Sequence, residues 1–201
     1  MKAHLQTQET KTEAEAIQHP EDMYEVFASA EQVTRRISEL ASFVIEKYNE
    51  NKPIFVCLLN GGAPFTMRLM GEIDAQDPTF YPEQEYLTVS TYGVGRRPGE
   101  PVIEHDVKEG TDFNGRGAVI LDDVLDTGIT AAYVRDHLLN KGATNVDLIT
   151  LVDKEVERTA YEAPLISGFH APNKWLVGMG MDNKAVAPEA GRWMNYIAIA
   201  P

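Results

Sequence analysis

The segment over residues 118–130 places three acidic residues close behind an apolar run, and it constrains the fold more than any other part of the chain. Its sequence is AVILDDVLDTGIT, so Asp122 and Asp123 follow four apolar or small residues, and Asp126 precedes a Thr-Gly turn. The apolar run predicts a buried strand, and the turn predicts the start of a helix. Acids at the carboxyl end of such a strand, next to the N–H groups of a helix N-terminus, are typical of a site for a phosphorylated sugar and a metal. The alternative is an ordinary strand–turn–helix with capping acids, although a cap needs one acid and not three.

Two further segments carry glycines where a backbone would approach a ligand or move. The apolar run over 54–59 is followed by Asn60, Gly61 and Gly62, and Pro64 suits the first turn of a helix. Alone, this turn is common and a purely structural reading is favoured. The window over 90–101 holds three glycines and two prolines, which predicts a mobile loop. Its Arg96 and Arg97 are equally compatible with phosphate contacts and with solvated loop charges.

The segment over residues 118–130 resembles the ribose-phosphate-binding signature of the type I phosphoribosyltransferases. An Asp directly before Thr-Gly, as Asp126, is the pattern of the 6-oxopurine members, which act on hypoxanthine, guanine or xanthine. The resemblance implies that Asp122 and Asp123 hold the ribose hydroxyls and the hydration shell of Mg²⁺, and that Asp126 is a general base at purine N7. It also implies a 5′-phosphate cradle formed by Asp126, Thr127, Gly128, Ile129 and Thr130.

The order and spacing of other segments agree with this family, and the resemblance assigns roles to them. It implies pyrophosphate binding by Asn60, Gly61 and Arg192. It implies base binding by Lys154, Trp175 and Leu176, where Lys154 donates to the purine 6-oxo group and the indole stacks on the ring. It implies a second metal acid at Asp182, in addition to Asp122 and Asp123. It implies a flexible loop that begins at Thr91 and Tyr92 and closes over the site.

Three features depart from the family pattern. Asn60 and Ile129 stand where many relatives have a cation, so an amide and backbone donors would have to serve instead. The spacing from Asp182 to Arg192 is a few residues longer than usual. Arg192 therefore either contacts pyrophosphate or is a surface residue, with Lys184 or another cation in its place.

Charge and cysteine content restrict the partners. The 201 residues carry a formal net charge of −13, which argues against nucleic acid as a partner and requires Mg²⁺ to screen an anionic substrate. The single cysteine, Cys57, lies in an apolar run and agrees with a reducing cytoplasm. No apolar run approaches the roughly 20 residues of a membrane span or resembles a signal peptide, so we expect a cytoplasmic protein with no membrane contact. The five histidines show no zinc-ligand spacing.

Hydrophobic periodicity gives the expected elements. Ser29 and Gln32 match a capping box, and the apolar residues that follow recur at helical spacing to about Tyr48. Strands are expected near 54–59, 85–90, 117–121 and 146–151, with helices between the first two and from Ile129 to a cap at Gly142. The fold class is α/β, with a mostly parallel twisted sheet, helices on both faces and a small C-terminal hood. We expect a polar arm over 1–26, a core over 27–153, and a hood and C-terminal strand over 154–201 in the same domain.

The resemblance thus implies a purine-salvage enzyme that makes a nucleoside 5′-monophosphate and pyrophosphate from phosphoribosyl pyrophosphate and a 6-oxopurine. It also implies a homodimer or homotetramer. Two alternatives stay open: a phosphoribosyltransferase for another base, and a regulatory or binding protein that keeps the fold without turnover. The preference among the three 6-oxopurines and the role of the arm are not decided by the sequence.

Overall fold

The protein is described by a computed structural model over residues 24–92, 98–158, 160–161, 164–187 and 189–201, with backbone alone at 91–92 and 98–100. The elements in chain order are β1 (Glu25–Ala28), α1 (Ala30–Tyr48), β2 (Ile54–Leu59), α2 (Gly62–Gln76), β3 (Glu83–Tyr92), β4 (Pro98–His105), β5 (Ala118–Leu125), α3 (Ile129–Asn140), β6 (Val146–Lys154), β7 (Ile166–Ala171), β8 (Leu176–Val177) and β9 (Ile197–Ile199).

The main sheet has six strands in the order β4-β3-β2-β5-β6-β7. All neighbouring strands are parallel except β3 and β4, which are antiparallel. Phe55 and Leu121 pack with α1 and α2 on one face, whereas Val56 and Ile120 pack with α3 on the other. The expected α/β class, a mostly parallel sheet covered on both faces, is therefore confirmed.

A second sheet of three short antiparallel strands forms the hood, in the order β1-β9-β8. The C-terminal part of the chain supplies β8 and β9, and β1 comes from the amino-terminal side. Glu25 and Val26 lie in this sheet, although the predicted arm extended through residue 26. Their pairing with Ile199 and Ala198 is non-local, so the polar composition of the segment did not reveal it. Residues 1–23 lie outside the described part of the chain.

The helix ends follow the sequence signals. Ser29 caps α1 through a capping box with Gln32, as predicted. At the end of α3, Gly142 adopts a φ of +105°, and the N–H groups of Gly142 and Ala143 donate to the carbonyls of Leu139 and Leu138. This is the Schellman arrangement, which requires a residue in the left-handed region and is easiest for glycine.

The expectation of an irregular loop over 90–101 is wrong at both ends of that window. Ser90, Thr91 and Tyr92 complete β3, and β4 begins at Pro98. Ser90 pairs with Val102 and Tyr92 pairs with Pro98, so hairpin pairing outweighs the local glycines and prolines. Residues 93–97, including Arg96 and Arg97, lie outside the described residues. None of the helices in the described ranges is long and apolar enough to cross a membrane.

Candidate active site

The carboxyl ends of β2, β5 and β6 meet the hood at a cavity of about 420 Å³. Because the carboxyl ends of parallel strands meet at one edge of the sheet, residues distant in sequence line the same space. Most of the predicted site residues lie in this lining: Asn60, Gly61, Asp122, Asp123, Asp126, Thr130, Lys154, Trp175, Leu176, Asp182 and Arg192.

The remaining predicted residues lie beside the cavity. Thr127 and Ile129 are solvent-exposed on the turn between β5 and α3. Gly128 is the residue before the first turn of α3, and its φ of +78° favours glycine. Thr91 and Tyr92 continue β3 beyond Ser90, which does line the cavity.

Asp122 and Asp123 form an acidic pair at the end of β5. The N–H of Asp123 donates to Oδ1 of Asp122 at 3.0 Å, and the N–H of Val124 donates to Oδ1 of Asp123 at 2.9 Å. Burial raises the pKa of both carboxyls, and the charge of Asp123 raises the pKa of Asp122 further. A cation placed between them would stabilise their ionised forms, so the pair favours a bound metal.

Asp126 is held from two directions. Its Oδ2 lies 2.9 Å from Nζ of Lys154; the lysine side chain is 9% exposed and the aspartate side chain 47%. Arg158 donates from Nη1 to the carbonyls of Leu125 and Asp126, at 3.2 and 3.4 Å, and is ion-paired with Asp153. The carboxylate is thus oriented at the cavity wall and still reachable from it. Sequence reasoning missed Arg158, because no local pattern marks a contact made 32 residues away.

Two glycines allow the hood to pack directly on the turn after β2. A Cβ on Gly61 would lie 2.7 Å from Oδ2 of Asp123. A Cβ on Gly180 would lie 1.9 Å from the carbonyl oxygen of Gly61, and the φ of Gly180 is +115°. The Leu59–Asn60 peptide bond before this turn is cis.

The hood contributes an aromatic and an aliphatic side chain to the cavity. Trp175 is 54% exposed, and its Nε1 donates to the carbonyl of Asp182 at 3.0 Å. Leu176 is buried in β8 beside it. The indole is thereby fixed at one edge while a large part of its surface is open to a ligand.

Arg192 is buried, so the alternative that it is a surface residue is wrong. Its Nη2 donates to Oδ2 of Asp182 at 2.7 Å, its Nη1 donates to the carbonyl of Gly180, and its Nε donates to Glu189. Glu189 and Glu104 also line the cavity, and neither was predicted. Glu189 lies in a turn and Glu104 lies on β4, and no motif marks either one.

Comparison with known proteins assigns the family. The phosphoribosyl transferase domain profile matches residues 24–184. A hypoxanthine-guanine phosphoribosyltransferase of Lactococcus lactis is 34% identical over 158 residues, which cover 78% of this chain and 82% of the relative. The chain belongs to the hypoxanthine-guanine phosphoribosyltransferase family. A hypoxanthine-guanine-xanthine phosphoribosyltransferase of Tritrichomonas foetus is 29% identical over 163 residues, covering 81% of this chain and 85% of the relative.

Solved structures of the family share the fold. A hypoxanthine phosphoribosyltransferase of Staphylococcus aureus superposes with a TM-score of 0.77 at 26% identity, covering 90% of this chain and 92% of that one. The expected type I phosphoribosyltransferase fold and the expected enzyme class, a pentosyl transferase, are therefore confirmed.

Phosphoribosyltransferases of this family normally use Mg²⁺ together with phosphoribosyl pyrophosphate. In the described part of the chain, no group of three or more acids, histidines or cysteines forms a complete metal cage. Mg²⁺ does not require one, because it commonly takes one or two carboxylates and fills its other positions with water and substrate phosphates. Asp122, Asp123 and Asp182 line the cavity and fit that pattern.

Proposed function

We propose that this enzyme transfers 5-phosphoribosyl from phosphoribosyl pyrophosphate to hypoxanthine, guanine or both, with xanthine as a third candidate. The products are the nucleoside 5′-monophosphate and pyrophosphate. The observation that carries the proposal is the Lys154–Asp126 pair in the cavity wall, which offers a donor and an acceptor side by side. The two relatives described above are phosphoribosyltransferases for hypoxanthine and guanine, and one of them also for xanthine; all three bases are 6-oxopurines.

Base recognition follows from the chemistry of this pair. The ammonium of Lys154 donates to a 6-oxo group, whereas the 6-amino group of adenine would present donor to donor. Asp126 accepts the N7 proton as the glycosidic bond forms. A bound 6-oxopurine would therefore replace the Lys154–Asp126 ion pair with two contacts of its own, one to each residue. The exposed indole of Trp175 stacks on the purine face.

The acidic pair and the turn before α3 bind the ribose 5-phosphate. Asp122 and Asp123 would accept hydrogen bonds from the ribose hydroxyls and hold Mg²⁺ through its hydration water, and Asp182 would hold a second ion. Mg²⁺ held there would supply the positive charge that neutralises the departing pyrophosphate. The N–H groups and hydroxyls of residues 127–130, at the start of α3, would bind the 5′-phosphate, because the helix dipole favours an anion at this end.

The family departures alter this scheme without removing it. Asn60 lines the cavity, and its side-chain amide would donate a neutral hydrogen bond to pyrophosphate where many relatives offer a charged side chain. The side chain of Ile129 is 48% exposed and adds no charge near the phosphate, so the backbone donors of the turn carry that contact. Arg192 and Gly61 complete the pyrophosphate subsite.

A regulatory or binding protein on the same fold is the second candidate. The missing cations at Asn60 and Ile129 favour it, since weaker anion binding would lower turnover. Asp126 favours catalysis, because binding alone does not require a base at N7.

We further propose that the protein is a cytoplasmic homodimer or homotetramer. We also propose that nucleic acid is not a partner, which is consistent with the net charge of −13.

An ultraviolet assay of the purified protein tests the proposal. Mg²⁺ and phosphoribosyl pyrophosphate would be supplied with hypoxanthine, guanine, xanthine, adenine or orotate in separate reactions. Turnover of one or more 6-oxopurines, and slow or no turnover of adenine and orotate, is the expected result. A folded sample that binds the donor and converts none of the five bases would favour the regulatory candidate.

A further inference from the structure

The guanidinium of Arg192 is already engaged by acidic side chains of the hood. Its Nε donates to Oε2 of Glu189, and its Nη2 lies 3.3 Å from Oε1 of the same residue. Nη2 also donates to Asp182 and Nη1 to the carbonyl of Gly180. The arginine side chain is 8% exposed, whereas that of Glu189 is 51% exposed.

The two oxygens of Glu189 face one particular edge of the guanidinium, the edge formed by Nε and Nη2. An arginine offers such an edge to two oxygens of a carboxylate or of a phosphate in the same bidentate geometry. Glu189 and Arg192 both line the cavity together with the acidic pair. A phosphate group entering the cavity would thus meet a carboxylate already seated on the donors it needs.

We infer that Glu189 is an internal competitor for the anion subsite at Arg192, and that it sets the affinity for the pyrophosphate group of the donor and of the product. This inference rests on the proposed function, because it names the residue that opposes pyrophosphate in that same site. Pyrophosphate displaces Glu189 from the Nε–Nη2 edge, and the released carboxylate turns to solvent.

The geometry around the pair permits this exchange without rearrangement of the hood. Asp182 and the Gly180 carbonyl hold the other donors of Arg192, so the guanidinium stays in place when Glu189 leaves. The carbonyl of Arg192 accepts the N–H of Gly180 at 2.9 Å, and its N–H donates to the carbonyl of Glu189 at 3.2 Å, so these backbone contacts remain when only the Glu189 side chain moves. Half of the Glu189 side chain already contacts solvent, so its departure exposes little new surface.

The test compares pyrophosphate binding in the presence of Mg²⁺ by isothermal titration calorimetry. Glu189→Gln keeps the shape of the side chain and removes its charge, and we expect it to lower the Kd by about 3- to 10-fold, as for loss of a competing ion pair. Glu50→Gln is the matched control: it changes net charge equally but lies just after α1, outside the cavity lining. In an Arg192→Gln background, Glu189→Gln should give no gain.

The direction in which Glu189→Gln changes the Kd for pyrophosphate shows whether Glu189 competes with pyrophosphate for Arg192 or helps Arg192 to bind it. If Glu189 served instead to orient Arg192, Glu189→Gln would weaken binding, and this result or an unchanged Kd would overturn the inference. An equal gain in Glu50→Gln would also overturn it, since net charge alone would then explain the result. If the wild type neither binds pyrophosphate nor converts a 6-oxopurine, the proposed function itself fails, and the inference fails with it.

Discussion

Nζ of Lys154 lies 2.9 Å from Oδ2 of Asp126, although the two residues are 28 positions apart and belong to different strand ends. β5 and β6 run side by side in parallel register, and Leu125 pairs with Asp153, so the next residue of each strand meets at the sheet edge. The pair therefore depends on strand register. Each partner can be removed separately to assign its role in the reaction.

Asp126→Asn should lower turnover by about 10²-fold or more and leave the affinity for phosphoribosyl pyrophosphate nearly unchanged. The amide keeps the shape and a hydrogen bond to Lys154 but cannot accept the N7 proton. Steady-state kinetics with hypoxanthine and calorimetry of the donor measure the two quantities. Turnover equal to that of the wild type would remove Asp126 from the role of general base.

Lys154→Gln should raise KM for a 6-oxopurine by about 10- to 100-fold, since a hydrogen bond from a charged donor contributes about 1.5–3 kcal/mol. The donor Kd should change much less, because in the proposed site Lys154 contacts the base and not the donor. Lys47→Gln, in the last turn of α1, is the control with the same loss of charge. A similar KM in both variants would contradict the assignment of Lys154 to the base.

Replacing Asp122 by Asn and Asp123 by Ala in the same protein should chiefly weaken binding of phosphoribosyl pyrophosphate and Mg²⁺. These carboxylates contact the ribose and the metal shell in the proposed site, and the purine lies against other residues. Calorimetric titration with the donor in the presence of Mg²⁺ measures the loss. An unchanged donor affinity would show that the ribose site lies elsewhere.

Asp122→Asn alone should change how stability depends on pH when Mg²⁺ is absent. The folded pKa of Asp122 is raised, so the folded protein binds more protons than the unfolded chain between the ordinary aspartate pKa, about 4, and the raised value. The free energy of unfolding of the wild type therefore falls through that window relative to the variant. Urea unfolding at a series of pH values should show that the free energy of unfolding of the variant increases relative to that of the wild type as pH rises.

Asp77→Asn provides a control of opposite sign for this experiment. Hydrogen bonds from the hydroxyl and the backbone N–H of Thr79 lower the pKa of Asp77, so its contribution is present at neutral pH and is lost as pH falls. The free energy of unfolding of the wild type should therefore increase relative to that of this variant as pH rises. The same trend in both variants would contradict the assigned origin of the Asp122 effect.

Gly180→Ala should destabilise the protein by about 3 kcal/mol or more. The new Cβ would overlap the carbonyl of Gly61, and the φ of +115° is costly for alanine. Gly71→Ala is the matched control, since Gly71 lies within α2 with no heavy atom near its Cβ position. The free energy of unfolding of that variant should be about 0.5–1 kcal/mol higher than that of the wild type, as measured by thermal or urea unfolding. Equal effects would show that the contact between hood and core is loose.

The sequence predicted the core of the fold because its signals are local. The apolar runs located β2, β5 and β6, and a capping box and a glycine located the ends of α1 and α3. The acids before Thr-Gly followed from the same strand–turn–helix pattern. The contact of Asp126 with Lys154 depends in addition on the parallel register of β5 and β6.

The remaining features were not predictable because they arise from non-local contacts. β1, β8 and β9 have four, two and three residues, too few for a periodic pattern, and each is defined by its pairing partner. Arg158 and Glu189 act through contacts across turns and through backbone carbonyls. No spacing in the sequence distinguishes them from solvated charges.

The order of strands in the hood has a consequence for biosynthesis. β9, the last strand in chain order, lies between β1 and β8 and bridges them. The three-stranded sheet beside Trp175 cannot form until residues 197–199 have left the ribosome, whereas the six-stranded sheet and its acidic pair contain none of these residues. In the proposed site, a chain that ends before β9 would therefore keep the residues assigned to the ribose phosphate and lack the sheet that positions the residues assigned to the purine.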